Sequence, residues 1–170
     1  IWYQATRPAN PLPFPSRSVF RSLALLDTKA SAELPEQSVM RKALMEEADA
    51  GHFDAITPKL LPKLVNAEHA QDPAIANVVL AMAERIGADG FHNQQTAILN
   101  RVDGRADLAN IDCPTLVLCG ADDVMTPISV HQEMVDGIGA TANLVVTPGS
   151  GHLIPLEPPD PGTGAMRAGV

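Results

Sequence analysis

The 170-residue sequence predicts an α/β fold in which three parallel strands carry a helical insertion. Three observations predict it. Apolar runs without strict alternation occur at 21–28, 115–119 and 143–147, the pattern of strands covered on both faces. A single short helical segment, 126–139, joins the last two, which makes a βαβ unit with a right-handed crossover. The stretch from 28 to 113 is too long for a plain crossover and is rich in helix signals, so it reads as an insertion above the sheet.

Each element has its own warrant. Residues 1–20 hold Pro8, Pro11, Pro13 and Pro15, which impose an extended path and remove ladder donors; an arm is expected there. RSLALLDT, 21–28, is an apolar run closed by an acid; strand is the reading, although its Leu and Ala also favour helix. In 35–51, Pro35 suits a first turn, Glu36 complements the helix dipole, Met40, Ala43, Leu44 and Glu47 follow helical spacing, and Gly51 ends the helix. Pro58 and Pro62 break 54–65 into short helical turns. In 72–87, Asp72 caps, Pro73 starts, Ile75, Val79, Met82 and Ile86 form the stripe, and Gly87 stops it. A further helix at 90–101 buries Phe91, Ala97 and Ile98.

After Pro114 comes the run TLVLCG, then a helix over 126–139. Thr126 is its expected cap, Pro127 its first residue, and Val130, Met134 and Ile138 its buried face. The domain organisation expected is an arm at 1–20, a partial α/β core at 21–29 and 110–158, a helical lid at 30–109 and an irregular tail at 159–170.

Composition excludes some functions. The hydrophobic fraction is 45%, as in folded proteins, and the formal net charge is −8. The twelve basic residues are scattered rather than gathered on one face, which disfavours nucleic acid and anionic lipid. No run is long and apolar enough for a membrane span, and no signal peptide is visible. Cys113 and Cys119 share one extended run and are too far apart to bridge each other. Unbridged thiols fit a reducing compartment, so a cytoplasmic location is expected. The chain opens on Ile1 rather than Met, and a preceding segment is expected. His52, His69, His92 and His131 fall in separate segments without ligand spacing, so no metal is implied.

The chemistry gathers at the strand ends. Sites on open parallel sheets sit beyond the carboxyl ends of the strands. Asp122 and Asp123 follow the strand 115–119, and His152 follows the strand 143–147. A βαβ unit brings these two loops to one rim. There an acid can fix the tautomer of a histidine and stabilise its imidazolium form. Gly149 and Gly151 let the loop turn tightly and leave His152 uncrowded. The plainer readings are that Asp123 caps a turn and that His152 satisfies a backbone carbonyl.

CPTLVLCGADDVMTP followed by LVVTPGSGHLIPLEPP resembles the closing half of α/β-hydrolase fold proteins. RSLALLDTKA is similar to the strand that precedes their lid, and the helical stretch from about 30 to 110 resembles the lid of small esterase, enol-lactonase and proline-iminopeptidase-like members. The resemblance covers about 21 to 158 and implies a partial α/β-hydrolase fold. It places the triad acid on Asp123, not Asp122, and the triad histidine on His152. It implies a serine that attacks a small acyl or ester substrate, and it implies no cofactor.

Three departures accompany it. No G-x-S-x-G elbow occurs in the 170 residues: Ser16, Ser18, Ser22, Ser31, Ser38 and Ser129 lack elbow glycines, and Ser150 lies on the histidine's own loop. The oxyanion loop is also missing. The proline- and glycine-rich PPDPGTGAMRAGV stands where the family has a long helix. The expectation is therefore the carboxyl-terminal part of a serine hydrolase, inactive alone, with a non-catalytic binding or interaction protein as the rival. Met40, Leu44, Phe53, Leu60, Met82 and Phe91 would line an apolar lid pocket or pack as core. An open edge at 21–28 would favour self-association.

Overall fold

The computed structural model describes residues 21–157. The arm expected at 1–20 and the tail expected at 159–170 lie outside the described residues. Three strands, β1 (Leu23–Leu26), β2 (Thr115–Gly120) and β3 (Ala142–Thr147), form one parallel sheet in that order. The register pairs Leu25 with Val117 and Val117 with Leu144.

β2 is central and all six of its residues are buried. Alternate side chains take opposite faces. Val117 packs with Met134, Ile138 and Leu108. Leu116 and Leu118 pack under Ile154, from the turn that follows His152. A strand buried on both sides needs no polar face, which is why TLVLCG reads as a continuous apolar run. β1 is a strand, as read, and shorter than 21–28. Asp27 leaves it with a left-handed φ of 47° and turns the chain away from the sheet. Among the described residues no strand pairs with the outer edge of β1.

The segment between β1 and β2 is helical: α1 (Pro35–Glu47), α2 (Phe53–Leu64) and α3 (Pro73–Leu99). A π-helical turn at Ala48–His52 links the first two, and Gly51 adopts φ 86° inside it. The inward face of α1 runs through half-buried Leu44 and Met45 toward buried Ala48, whereas Met40 is 60% exposed. α2 is one helix through both Pro58 and Pro62, not separate turns. Each proline deletes a ladder bond. Burial of Ile56 against Ala48 and Phe91, and of Leu61 and Leu64 against Val65, outweighs that loss.

α3 begins as the sequence predicts, with Asp72 accepting from the Ala74 N–H at 2.8 Å. The helical path breaks at Gly87 (φ 68°, ψ 176°), so the two expected segments exist but abut directly. Ile86, beside that break, is 41% exposed rather than part of the buried stripe. Phe91 packs in the helical core with Phe53, ring centroids 5.7 Å apart. Arg41 fastens α1 to α3 through Gln95 and holds Glu33 at 2.7 Å.

α4 (Ile128–Ile138) covers β2 and β3 with Met134 and Ile138. Thr126 does not cap it; Pro127 holds the cap position and makes no side-chain bond there. Fully buried His131 is the third inward residue, in place of half-buried Val130. The Thr28 N–H donates to its Nε2 at 3.2 Å, so its Nδ1 carries the hydrogen and donates to the Pro127 carbonyl. Burial lowers its pKa, partly offset by that carbonyl and by Asp123, and the ring stays neutral as a tie between the end of β1 and α4. Among the described residues no helix is long and apolar enough to cross a membrane.

Candidate active site

The site lies where the ends of β2 and β3 meet. Gly120 closes β2, and a Cβ built on it would stand 2.2 Å from the carbonyl oxygens of Ser150 and Gly151. Only a residue without a side chain lets the later loop cross the strand end so closely. The Ala121 N–H donates to Thr147 at 2.9 Å and the Asp122 N–H to Ser150 at 2.9 Å, which stitches the two loops together. Gly149 takes the left-handed turn (φ 66°) that sends the chain back across. Gly151 serves differently: the backbone of Val65 and Asn66 lies where its Cβ would be.

Asp123 and His152 meet on this rim. Both are 4% exposed, and His152 Nδ1 lies 2.8 Å from Asp123 Oδ2. A carboxylate only accepts, so Nδ1 carries the hydrogen and Nε2 is the basic nitrogen of the neutral ring. Asp123 Oδ1 accepts from the N–H groups of Met125 at 2.8 Å and Thr126 at 2.9 Å. The Thr126 hydroxyl donates to Oδ2 at 2.7 Å. Burial alone would raise this carboxyl's pKa; the bond and charge of His152 and the donors of Thr126 outweigh it and hold it below the usual carboxylate range. Asp123 therefore closes a turn and also holds the histidine. Asp122 stays exposed and accepts instead from Asn66 Nδ2 at 2.8 Å.

Two neighbours escaped the sequence reading. Thr126 was expected as a helix cap, and its hydroxyl instead lies against both members of the pair, 3.2 Å from His152 Nδ1. Asp27, read only as the acid closing β1, accepts from the Ile154 N–H at 3.2 Å through Oδ2. Its Oδ1 is buried without a hydrogen-bond partner among the described residues. Burial pushes its pKa up to about 7; His152 and the Ile154 N–H oppose this, and Asp123 and Glu157 reinforce it. An acid following a strand was the available signal, but its burial was not.

A pH dependence follows. The contribution of Asp27 to stability is fully present below the ordinary value of 3.8 and is lost as pH rises toward about 7, because the unfolded chain releases the proton first. Asn neither titrates nor resists a left-handed φ. Asp27→Asn is expected to raise the unfolding temperature more at pH 8 than at pH 4, each relative to wild type at the same pH. An equal shift at both would show that Asp27 titrates normally.

The remaining candidates fall elsewhere. Cys119 and Cys113 are buried free thiols. Burial pushes Cys119 up to about 11, assisted by Asp27 and Asp123, so it is not poised as a nucleophile. His52, His69, His92 and His131 lie in separate elements. Among the described residues no three His, Cys, Asp or Glu side chains are grouped to hold a metal.

A three-stranded parallel sheet with a helical insertion after β1 is the arrangement of part of a lid-bearing α/β-hydrolase fold. The chain is similar to a thermophilic esterase from Thermogutta terrifontis, in a malate-bound structure, at 28% identity and TM-score 0.78, over 87% of this chain and 54% of that one. The enol-lactonase from Burkholderia xenovorans LB400 shares the fold at 24% identity and TM-score 0.74, over 91% and 58%. MGS-M2, an α/β hydrolase enzyme from a Medee basin deep-sea metagenome library, shares it at 19% identity and TM-score 0.71, over 86% and 54%. The chain thus spans little more than half the length of these proteins. No family model matches the sequence. No curated protein matches it either.

Proposed function

We propose that this chain is the carboxyl-terminal part of a serine-type α/β hydrolase that acts on esters or related small acyl substrates. The carrying observation is the buried 2.8 Å contact between His152 Nδ1 and Asp123 Oδ2 at the ends of neighbouring parallel strands. In this reading Asp123 orients the ring. His152 Nε2 takes the proton of a serine hydroxyl as the serine oxygen bonds to the acyl carbon, then returns it to the leaving group. The serine and the oxyanion donors belong to a segment other than these 170 residues. Residues 30–109 act as a lid over the acyl group. Phe53, Leu60 and Phe91 already pack together as helix core, so a smaller apolar set shapes any pocket.

The 170-residue chain alone is expected to hydrolyse a short-chain activated ester no faster than buffer, since electrostatic and nucleophilic catalysis both need the other segment. Hydrolysis well above buffer that His152→Ala abolishes would place a nucleophile inside these residues and overturn this part. A second reading, a non-catalytic α/β-hydrolase-like binding or interaction protein, is favoured by the lack of any G-x-S-x-G in the 170 residues. Supplying an elbow-bearing segment separates the two: the first expects hydrolysis, the second expects none. Under either reading the outer edge of β1, unpaired among the described residues, is expected to favour self-association of the 170-residue chain to a dimer or larger species, which light scattering reads.

A further inference from the structure

Glu157 ends the turn that follows His152, and its side chain is fully buried. A buried carboxylate is costly unless donors surround it. Here three N–H groups do so. Oε1 accepts from the Gly151 N–H at 2.8 Å, the residue directly before His152. Oε2 accepts from the Asn66 N–H at 2.9 Å and from Nδ1 of His69 at 2.6 Å. One carboxylate therefore joins the histidine loop to residues 66–69, the turn between α2 and α3. The backbones of Val65 and Asn66 lie so close to Gly151 that a Cβ there would fall 2.6 to 2.9 Å from them. Leu153 and Leu156 pack on Val65, Ala70 and Val79 beside the contact. The same turn reaches the acid loop, through Asn66 Nδ2 on Asp122 Oδ2 at 2.8 Å.

We propose that Glu157 is a positioning residue, which locks the loop bearing His152 against the α2–α3 turn and so sets the approach of His152 to Asp123. The proposal rests on the reading of His152 as the working base, but the lock is measurable without catalysis. A neutral glutamine has one acceptor oxygen. It can serve the Gly151 side or the Asn66 and His69 side, not both, and its amide N–H groups oppose the donors on the other. A charged pair of acceptors reaching both segments is what an apolar residue at this buried position cannot supply.

Hydrogen exchange read by mass spectrometry on the 170-residue chain tests this, together with the carbethoxylation rate of His152. Glu157→Gln is expected to speed amide exchange across 149–152 by about ten- to a hundredfold and to raise His152 reactivity, while peptides from β2 and β3 keep wild-type protection. His69→Gln, which leaves the carboxylate its two backbone donors, is expected to act in the same direction and less. It decides the matter if Glu157→Gln does not fold. Unchanged exchange and reactivity in the folded variants would overturn the proposal, as would acceleration spread equally over β2 and β3. Ester hydrolysis that ignores His152 would sink the catalytic reading alone and leave these exchange results standing.

Discussion

Asp123→Asn is expected to lower kcat for ester hydrolysis about ten-thousandfold once the chain is joined to a segment that carries a nucleophile elbow. The reason is the direction of one hydrogen bond. Asp123 Oδ2 accepts from His152 Nδ1 at 2.8 Å, which leaves the lone pair on Nε2. The amide oxygen of asparagine can keep the N–H groups of Met125 and Thr126, now held by Oδ1. Its NH2 group then faces His152 Nδ1. Two donors cannot share that line, so the ring moves its hydrogen to Nε2 and presents a donor where a base is needed. Shape and packing change little, so KM should move far less than kcat. A variant with kcat within tenfold of wild type would show that Asp123 does not set the tautomer, and Asp27 becomes the acid to test next.

Gly120→Ala should produce the largest loss of stability from a single methyl group. Its Cβ would stand 2.2 Å from two carbonyl oxygens, those of Ser150 and Gly151. Both are backbone atoms, so no rotamer change relieves the clash. Either the fully buried β2 shifts or the loop lifts away from the strand end. Overpacking of this kind costs about 3 kcal/mol, which lowers the unfolding temperature by roughly 10 °C in a chain of this size. Lifting the loop would also separate His152 from Asp123. Gly104→Ala is the control, because its Cβ would find its nearest neighbour, the Ala30 carbonyl oxygen, at an ordinary 3.5 Å. Thermal unfolding of the two variants side by side checks this; equal midpoints would mean the loop yields freely.

The legible elements were those whose cause is local. TLVLCG and ANLVVT carry apolar runs, fully buried in β2 and half-buried along most of β3, and both are strands within a residue of expectation. Asp72 and Pro73 are adjacent start signals, and α3 begins there. Gly87 breaks the helix because its own backbone allows φ 68°. The meeting of Asp123 and His152 was legible through topology, since neighbouring parallel strands deliver their following loops to one rim. What failed depended on distant partners. Nothing near Pro58 and Pro62 announces that Ile56 will be buried against Phe91 firmly enough to keep α2 whole. Thr126 looks like a cap in sequence, but its hydroxyl turns back to Asp123, three residues earlier, and lies against His152, 26 residues later. His131 looked like a stray histidine until Thr28, 103 residues earlier, supplied its donor. Glu157 carries no signal in the sequence because two of its three partners lie at residues 66 and 69.

The most direct measurement is the hydrolysis of a short-chain activated ester by a chimera. It joins residues 21–170 to the portion of the Thermogutta terrifontis esterase that lies outside their match, with and without His152→Ala. The account predicts hydrolysis well above buffer and a loss of at least a thousandfold on His152→Ala. A folded chimera that hydrolyses the ester equally well without His152, or one that forms the Asp123–His152 contact and hydrolyses nothing, would contradict it.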